Sequence, residues 1–274
     1  MALSARSMDR DAREAVAEVP LWYHTVEVAP GVATPGWFDL RPIVDVMPWP
    51  DVRGKRCLDV GTYDGFLAFE LERRGAAEVV ATDISAHEDW DWPPVLRARG
   101  PDVLAELAGP DKSEGFRVAK ELLGSSVERL ELSVYDLDPQ ALGEFDVVVC
   151  GSLMLHLRDP MRALAAIRSV CRGSFLSAEE IDLRLSLLHP KRPVLRLDGL
   201  SNYCQWYVPN RAGHVRMLQA AGFTVERSSG SYAIPFGSAH PERTGSAKGR
   251  AVRLSRRLLA GGEGVPHHAA LVRP

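Results

Sequence analysis

The run Asp59-Val60-Gly61-Thr62-Tyr63-Asp64-Gly65 sets an acid before two glycines that bracket a three-residue turn. Glycines at such a turn let the backbone approach a ligand closely, and a helix beginning just beyond them offers free N–H groups. The spacing is not G-x-G-x-x-G, because Thr62, Tyr63 and Asp64 separate the glycines, so the turn does not build a pyrophosphate cradle and favours a ligand without phosphates. Asp83 follows Gly61 by 22 residues, at the end of the next apolar run, where a carboxylate can accept hydrogen bonds from both hydroxyls of a ribose. Asp136, in Val134-Tyr135-Asp136-Leu137, is expected to accept from an exocyclic adenine amine, with Leu137 or Ile84 flanking the base. These three features point to a nucleoside.

The elements around these residues alternate. Lys55–Gly65 reads as a strand and tight loop, Phe66–Gly75 as a helix, and Glu78–Ile84 as a second strand, a β-α-β unit whose crossover is right-handed. Further along, the patterns predict a helix over Gly115–Leu123, strands over Arg129–Tyr135 and Phe145–Cys150, a helix over Met161–Val170 and a strand over Ser174–Ala178. Arg211–Ala221 reads as a helix, Phe223–Ile234 as one strand, and Val265–Pro274 as a closing antiparallel strand. The alternation predicts an α/β doubly wound sheet with ligands beyond the carboxyl ends of its strands. Three segments break it: 1–50, 87–112 and 182–210. They are expected to be an N-terminal lid and two insertions on a cofactor-binding domain spanning 51–274. The Gly/Ser/Arg-rich stretch 237–264 holds a further helix pattern over 248–260.

D-x-G-x-x-x-G, the acidic strand end and the aspartate near Val134-Tyr135 together resemble the motifs of class I S-adenosylmethionine (SAM)-dependent methyltransferases, over roughly Lys55 to Ile181. The resemblance implies a Rossmann-like, mostly parallel seven-stranded sheet with an antiparallel last strand. It implies SAM as cofactor, leaving S-adenosylhomocysteine as product. It assigns Asp59, Gly61, Thr62, Tyr63 and Gly65 to the methionine part and Asp83 to the ribose, and turns Cys150 and Gly151, at the end of the fourth strand, toward the methyl group. Tyr63 and Asp64 depart from the small residues many members carry in this loop. Residues 21–42, 202–223 and 232–237 are similar to a subgroup related to the tRNA wobble-uridine (mo5U34) methyltransferases, but the long N-terminal RNA-engaging region of those enzymes is largely absent here.

The sulfonium of SAM is already electrophilic, so the protein's task is to align a nucleophile and exclude water, with a general base where the nucleophile carries a proton. His156, after the fourth strand, is the first candidate base. His24, in Trp22-Tyr23-His24, is the second, and Glu180 at the end of the fifth strand is the third, since adjacent Glu179 must face the opposite way. Tyr23, Tyr203, Gln205, Trp206 and Tyr232 are expected to face a planar or partly apolar acceptor. The expectation is a biosynthetic methyltransferase acting on O, N or C of a small molecule, with a tRNA methyltransferase or a carboxymethyl donor as alternatives.

Composition narrows the rest. A net charge of −3 and pI near 6.3 do not suit a chain whose main task is neutralising nucleic-acid phosphates, although Arg250, Arg253, Arg256 and Arg257 would share one helical face. Nucleic acid therefore stays a partner that is open but not favoured. The four cysteines show no C-x-x-C spacing, and His267-His268 has no third ligand nearby, so no metal is expected. Without an apolar run of about 20 residues or a secretion signal, no membrane partner and a cytoplasmic location are expected, and homo-oligomerisation is left open.

Overall fold

The computed structural model describes residues 11–200, 204–241 and 262–274. Its centre is one sheet whose strands are Arg56–Val60 (β1), Glu78–Asp83 (β2), Glu128–Glu131 (β3), Phe145–Gly151 (β4), Cys171–Glu180 (β5), Thr224–Ser228 (β6), Tyr232–Pro235 (β7) and Gly264–Arg273 (β8). The order is β6-β8-β5-β4-β1-β2-β3, and β7 also pairs with β8. All pairs from β5 across to β3 are parallel, and β8 enters antiparallel to β5. The mostly parallel sheet and antiparallel last strand agree with the sequence reading.

Two boundaries differ from it. The single strand expected over 223–234 is two: β6 pairs with the end of β8 and β7 with its start, separated by Ser229-Gly230-Ser231, so the sheet has eight strands in place of seven. The strand expected over Arg129–Tyr135 stops at Glu131, and Val134–Asp136 forms a 3-10 turn in which Tyr135 N–H donates back to Ser133 Oγ.

Helices Phe66–Arg73 (α1) and Lys112–Leu123 (α2) lie on one face, and Pro160–Val170 (α3) and Arg211–Ala220 (α4) on the other. Cys57 through Val60 are all buried, as a central parallel strand covered on both sides requires. Leu58 and Val60 enter the cluster under α3 and α4, while Cys57 joins the cluster under α1 and α2. By the two-residue period Asp59 must therefore point into the α1 layer. The helix starts are set locally: Asp111, Asp159 and Asn210 each accept a backbone N–H from the first turn of α2, α3 and α4.

The N-terminal residues form a helix over 11–18 and a short hairpin, Glu27–Ala29 with Val32–Ala33, packed into the α1 layer through Ala12, Val16, Val19 and Trp22. Residues 87–112 contain helices Pro94–Arg97 and Pro101–Ala108, and their Trp92, Leu96 and Leu104 bury Cys204 in a separate small core. Two expected segments are thus joined: Trp206 Nε1 donates to Asp91 O at 2.6 Å, and Trp206 N to Leu155 O at 2.7 Å.

Candidate functional site

The loop after β1 turns on left-handed backbone at Gly61 (φ 76°), Tyr63 (51°) and Gly65 (95°). A Cβ at Gly65 would sit 2.4 Å from the Phe69 ring and 2.8 Å from Phe116, so only glycine lets α1 start here against α2. Asp64 does not face the cleft. Its buried carboxylate accepts the backbone N–H of Tyr23 and of His24, both at 2.8 Å, and pairs with His24 Nδ1. Tyr23 stacks on Tyr63 with centroids 4.6 Å apart. The loop's unexpected aspartate therefore pins the N-terminal segment onto the loop.

Asp83 ends β2 with its carboxylate accepting Tyr63 N and Ile84 N, each at 2.8 Å, and Lys112 Nζ at 3.3 Å. Lys112 also lies 4.2 Å above the Trp90 ring. Beside Asp83 opens a cavity of about 50 Å³, walled by Gly61, Ile84, Asp89, Asp91, Ser133 and Leu153 among others. Asp59, one strand over, is 1% exposed, and neither of its oxygens finds a hydrogen-bond partner, nor does the hydroxyl of buried Thr62. Burial drives the Asp59 carboxyl up to about 7, with the charge of Asp83 adding to the rise.

Several residues expected at the cleft stand elsewhere. Asp136 is exposed and Leu137 is buried in the α3 layer; neither walls the cavity, because the early end of β3 puts Leu132 through Tyr135 there instead. Cys150 is fully buried on the α3 side, its Sγ 3.9 Å from Glu179 Oε1, and burial holds its thiol protonated, so it does not turn toward the cleft. Gly151 lies beneath Leu67, and the next contact with the cavity is Leu153.

Glu179 turns inward and accepts Met154 N at 3.1 Å; burial pushes its carboxyl up to about 8. Glu180 is half-buried; burial first, and then the charges of Glu180 and Asp64, raise the Tyr23 phenol. His156 pairs through Nδ1 with Cys204 O at 3.1 Å and thereby ties the post-β4 turn to the 204–207 segment. Gln205 and Trp206 belong to that segment; Tyr232 is buried in the α1 layer with its hydroxyl unpartnered. Tyr203 and the 248–260 helix pattern with its arginines lie outside the described residues. Sequence reasoning missed Lys112, Asp91 and Ser133. Only Ser133 had a local signal, as a capping residue before a turn.

A family model for a methyltransferase domain matches residues 39–228. The chain belongs to that family. It is a class I, SAM-dependent methyltransferase. The methyltransferase is 24% identical over 219 residues to a ubiquinone biosynthesis O-methyltransferase of Acinetobacter baumannii, covering 73% of this chain and 81% of that protein. It is 27% identical over 184 residues to a tRNA U34 carboxymethyltransferase of Pseudomonas paraeruginosa, covering 66% of this chain and 49% of that one. Among solved structures it is similar to a SAM-dependent methyltransferase from Mesorhizobium loti, at 17% identity and a TM-score of 0.46, covering 82% of this chain and 94% of that one.

The residues present fit SAM. The orphaned Asp59 carboxylate lies at the base of the glycine loop, where a methionine ammonium would supply a positive charge, and Asp83 would offer acceptors beside the cavity for a ribose. Ser133 and Val134 border the same cavity for an adenine edge. Among the described residues no group of three or more His, Cys, Asp or Glu side chains is arranged to hold a metal, and no helix is long and apolar enough to cross a membrane.

Proposed function

We propose that this methyltransferase methylates an O, N or C atom of a small-molecule acceptor. The observation that carries the reading is the sign of the cleft: Asp83, Asp89 and Asp91 wall it and, among the described residues, no Lys or Arg does, which disfavours a phosphate backbone and suits a neutral or cationic metabolite. The cover formed by Trp90, Trp92 and the 204–207 segment supports an acceptor small enough to be enclosed.

When bound, SAM supplies a methyl group on a sulfonium. The chain's own residues then hold, orient and exclude water. Asp64, accepting the Nδ1–H of His24, fixes the imidazole so that Nε2 carries the free lone pair, the arrangement a general base needs. His24 is thus preferred over His156, whose Nδ1 is committed to the lid. Asp64 acts through His24 and is a positioning residue.

The test is steady-state kinetics of His24→Gln with SAM affinity measured separately. Turnover should fall about 10²–10⁴-fold with the SAM Kd nearly unchanged. Equal losses in both would assign His24 to cofactor packing. Affinity for tRNA that falls steeply with salt would favour the wobble-uridine reading over the small-molecule one.

A further inference from the structure

A second cavity, of about 380 Å³, opens on the opposite face of the sheet from the glycine loop's N-terminal cover, between α4, the middle of β8 and the 190–193 turn. Its polar lining is Lys191, Arg211, Arg216, Gln219, Ser228 and His268, with no acidic residue among the described ones. Among the described residues none of the three cations has a carboxylate partner. At the back lies His268, 0% exposed, whose Nε2 has no hydrogen-bond partner. A buried polar atom without a partner is costly unless something supplies one.

The rest of His268 is committed. Its Nδ1 lies 2.9 Å from His214 Nδ1, and His214 Nε2 lies 3.0 Å from Ser177 Oγ. Burial, with the charge of Arg211, pushes His268 down to about 4, and burial likewise lowers His214, so both rings are neutral near pH 7. Two neutral imidazoles meeting Nδ1 to Nδ1 share one proton. When the Ser177 hydroxyl donates to His214, that proton belongs to His214, and His268, a residue of the cavity wall, carries its own on the unpartnered Nε2. A serine hydroxyl and an amide NH₂ complete a wall whose groups can all donate.

We infer that this cavity binds a compact oxyanion of the phosphate class, as inorganic phosphate or a phosphate monoester, at a site separate from the cofactor cleft. Three unpaired cations at the mouth attract the charge, and the recessed Nε2–H selects an ion that can enter over one spread along a polymer backbone.

The experiment is calorimetric titration of the full chain, at constant ionic strength, with inorganic phosphate in one arm and glycerol 3-phosphate in the other. Saturable binding in either arm is expected, and the stronger arm names the form. Exposed Arg216→Gln and Lys191→Gln should each weaken it about tenfold. The His268 Nε2 resonance in a nitrogen-15 spectrum should move on saturation, a readout a folding defect elsewhere does not mimic. Heat that never saturates, affinity untouched by both substitutions, displacement by S-adenosylhomocysteine, or an unmoved His268 resonance would each overturn the assignment, as would binding seen for RNA but for neither small phosphate.

Discussion

Replacing Asp59 by Asn should stabilise the cofactor-free protein while weakening cofactor binding. The wild-type carboxyl moves from an unfolded value of 3.8 to about 7 when buried. A raised carboxylate pKa means that the folded state holds a proton the unfolded chain has released, so stability is highest below the unfolded value and declines as pH climbs through the window to about 7. At 1.36 kcal/mol per pH unit, the whole decline is at most about 4 kcal/mol. Asn keeps the volume and carries no charge, so its stability curve lacks that decline, and above neutrality the variant should unfold several degrees higher. A bound methionine ammonium acts in the opposite sense: it needs the charged carboxylate, so Asn should lose about tenfold or more in SAM affinity. Wild-type binding near pH 6.5 should also release protons, which calorimetry in two buffers of different ionisation enthalpy counts directly. An Asn variant that melts lower at pH 8, with unchanged SAM affinity and proton release, would refute the account of Asp59.

The remaining expectations follow from named contacts. Asp83→Asn should weaken SAM binding by about 1.5–3 kcal/mol in calorimetry, since it removes a charged acceptor from the ribose side; unchanged affinity would dismiss that role. Gly65→Ala forces a Cβ into Phe69 and Phe116 at a φ of 95°, and chemical denaturation should register a loss of about 2 kcal/mol or more, whereas a neutral result would mean the α1–α2 contact is looser than drawn. Glu179→Gln should match wild type near pH 4 and become progressively more stable toward pH 8, where the wild-type carboxyl begins to charge. Parallel stability curves would show that Glu179 is not held neutral.

The parts of the site carried by contiguous residues were legible. Asp59 and Asp83 sit on strands whose apolar runs and turn residues fix their ends, and Gly61 and Asp83 wall one cavity at the carboxyl edge of the sheet. Asp136 was misplaced because the alternating pattern of 129–135 runs on past the hydrogen bonds: β3 pairs with β2 only to Glu131, and a Ser133-capped turn then swings the aspartate outward. The doubled outer strand had a signal in Ser229-Gly230-Ser231, a turn sequence inside an otherwise β-like run. Lys112 had none. It reaches Asp83 because the 87–112 segment folds back over Trp90, an event of tertiary packing that no local pattern encodes.

Asp64 links the readable loop to the least readable part of the chain. An acid beside a ligand loop would repel a cofactor carboxylate and compete for its ammonium, yet here both its oxygens are spent on Tyr23 and His24. The same three contacts supply the N-terminal segment with an anchor it lacks by itself, since its hairpin is two short strands that cannot persist alone. The loop and the N-terminal segment are therefore joined through one buried carboxylate. The candidate base is held in place only while the loop keeps its left-handed turn, and the apolar contacts of Val16, Val19 and Trp22 with the α1 layer help to hold that turn shut. A substitution in the N-terminal helix should on this logic reach the cofactor loop through Asp64, without touching any residue that lines the cavity.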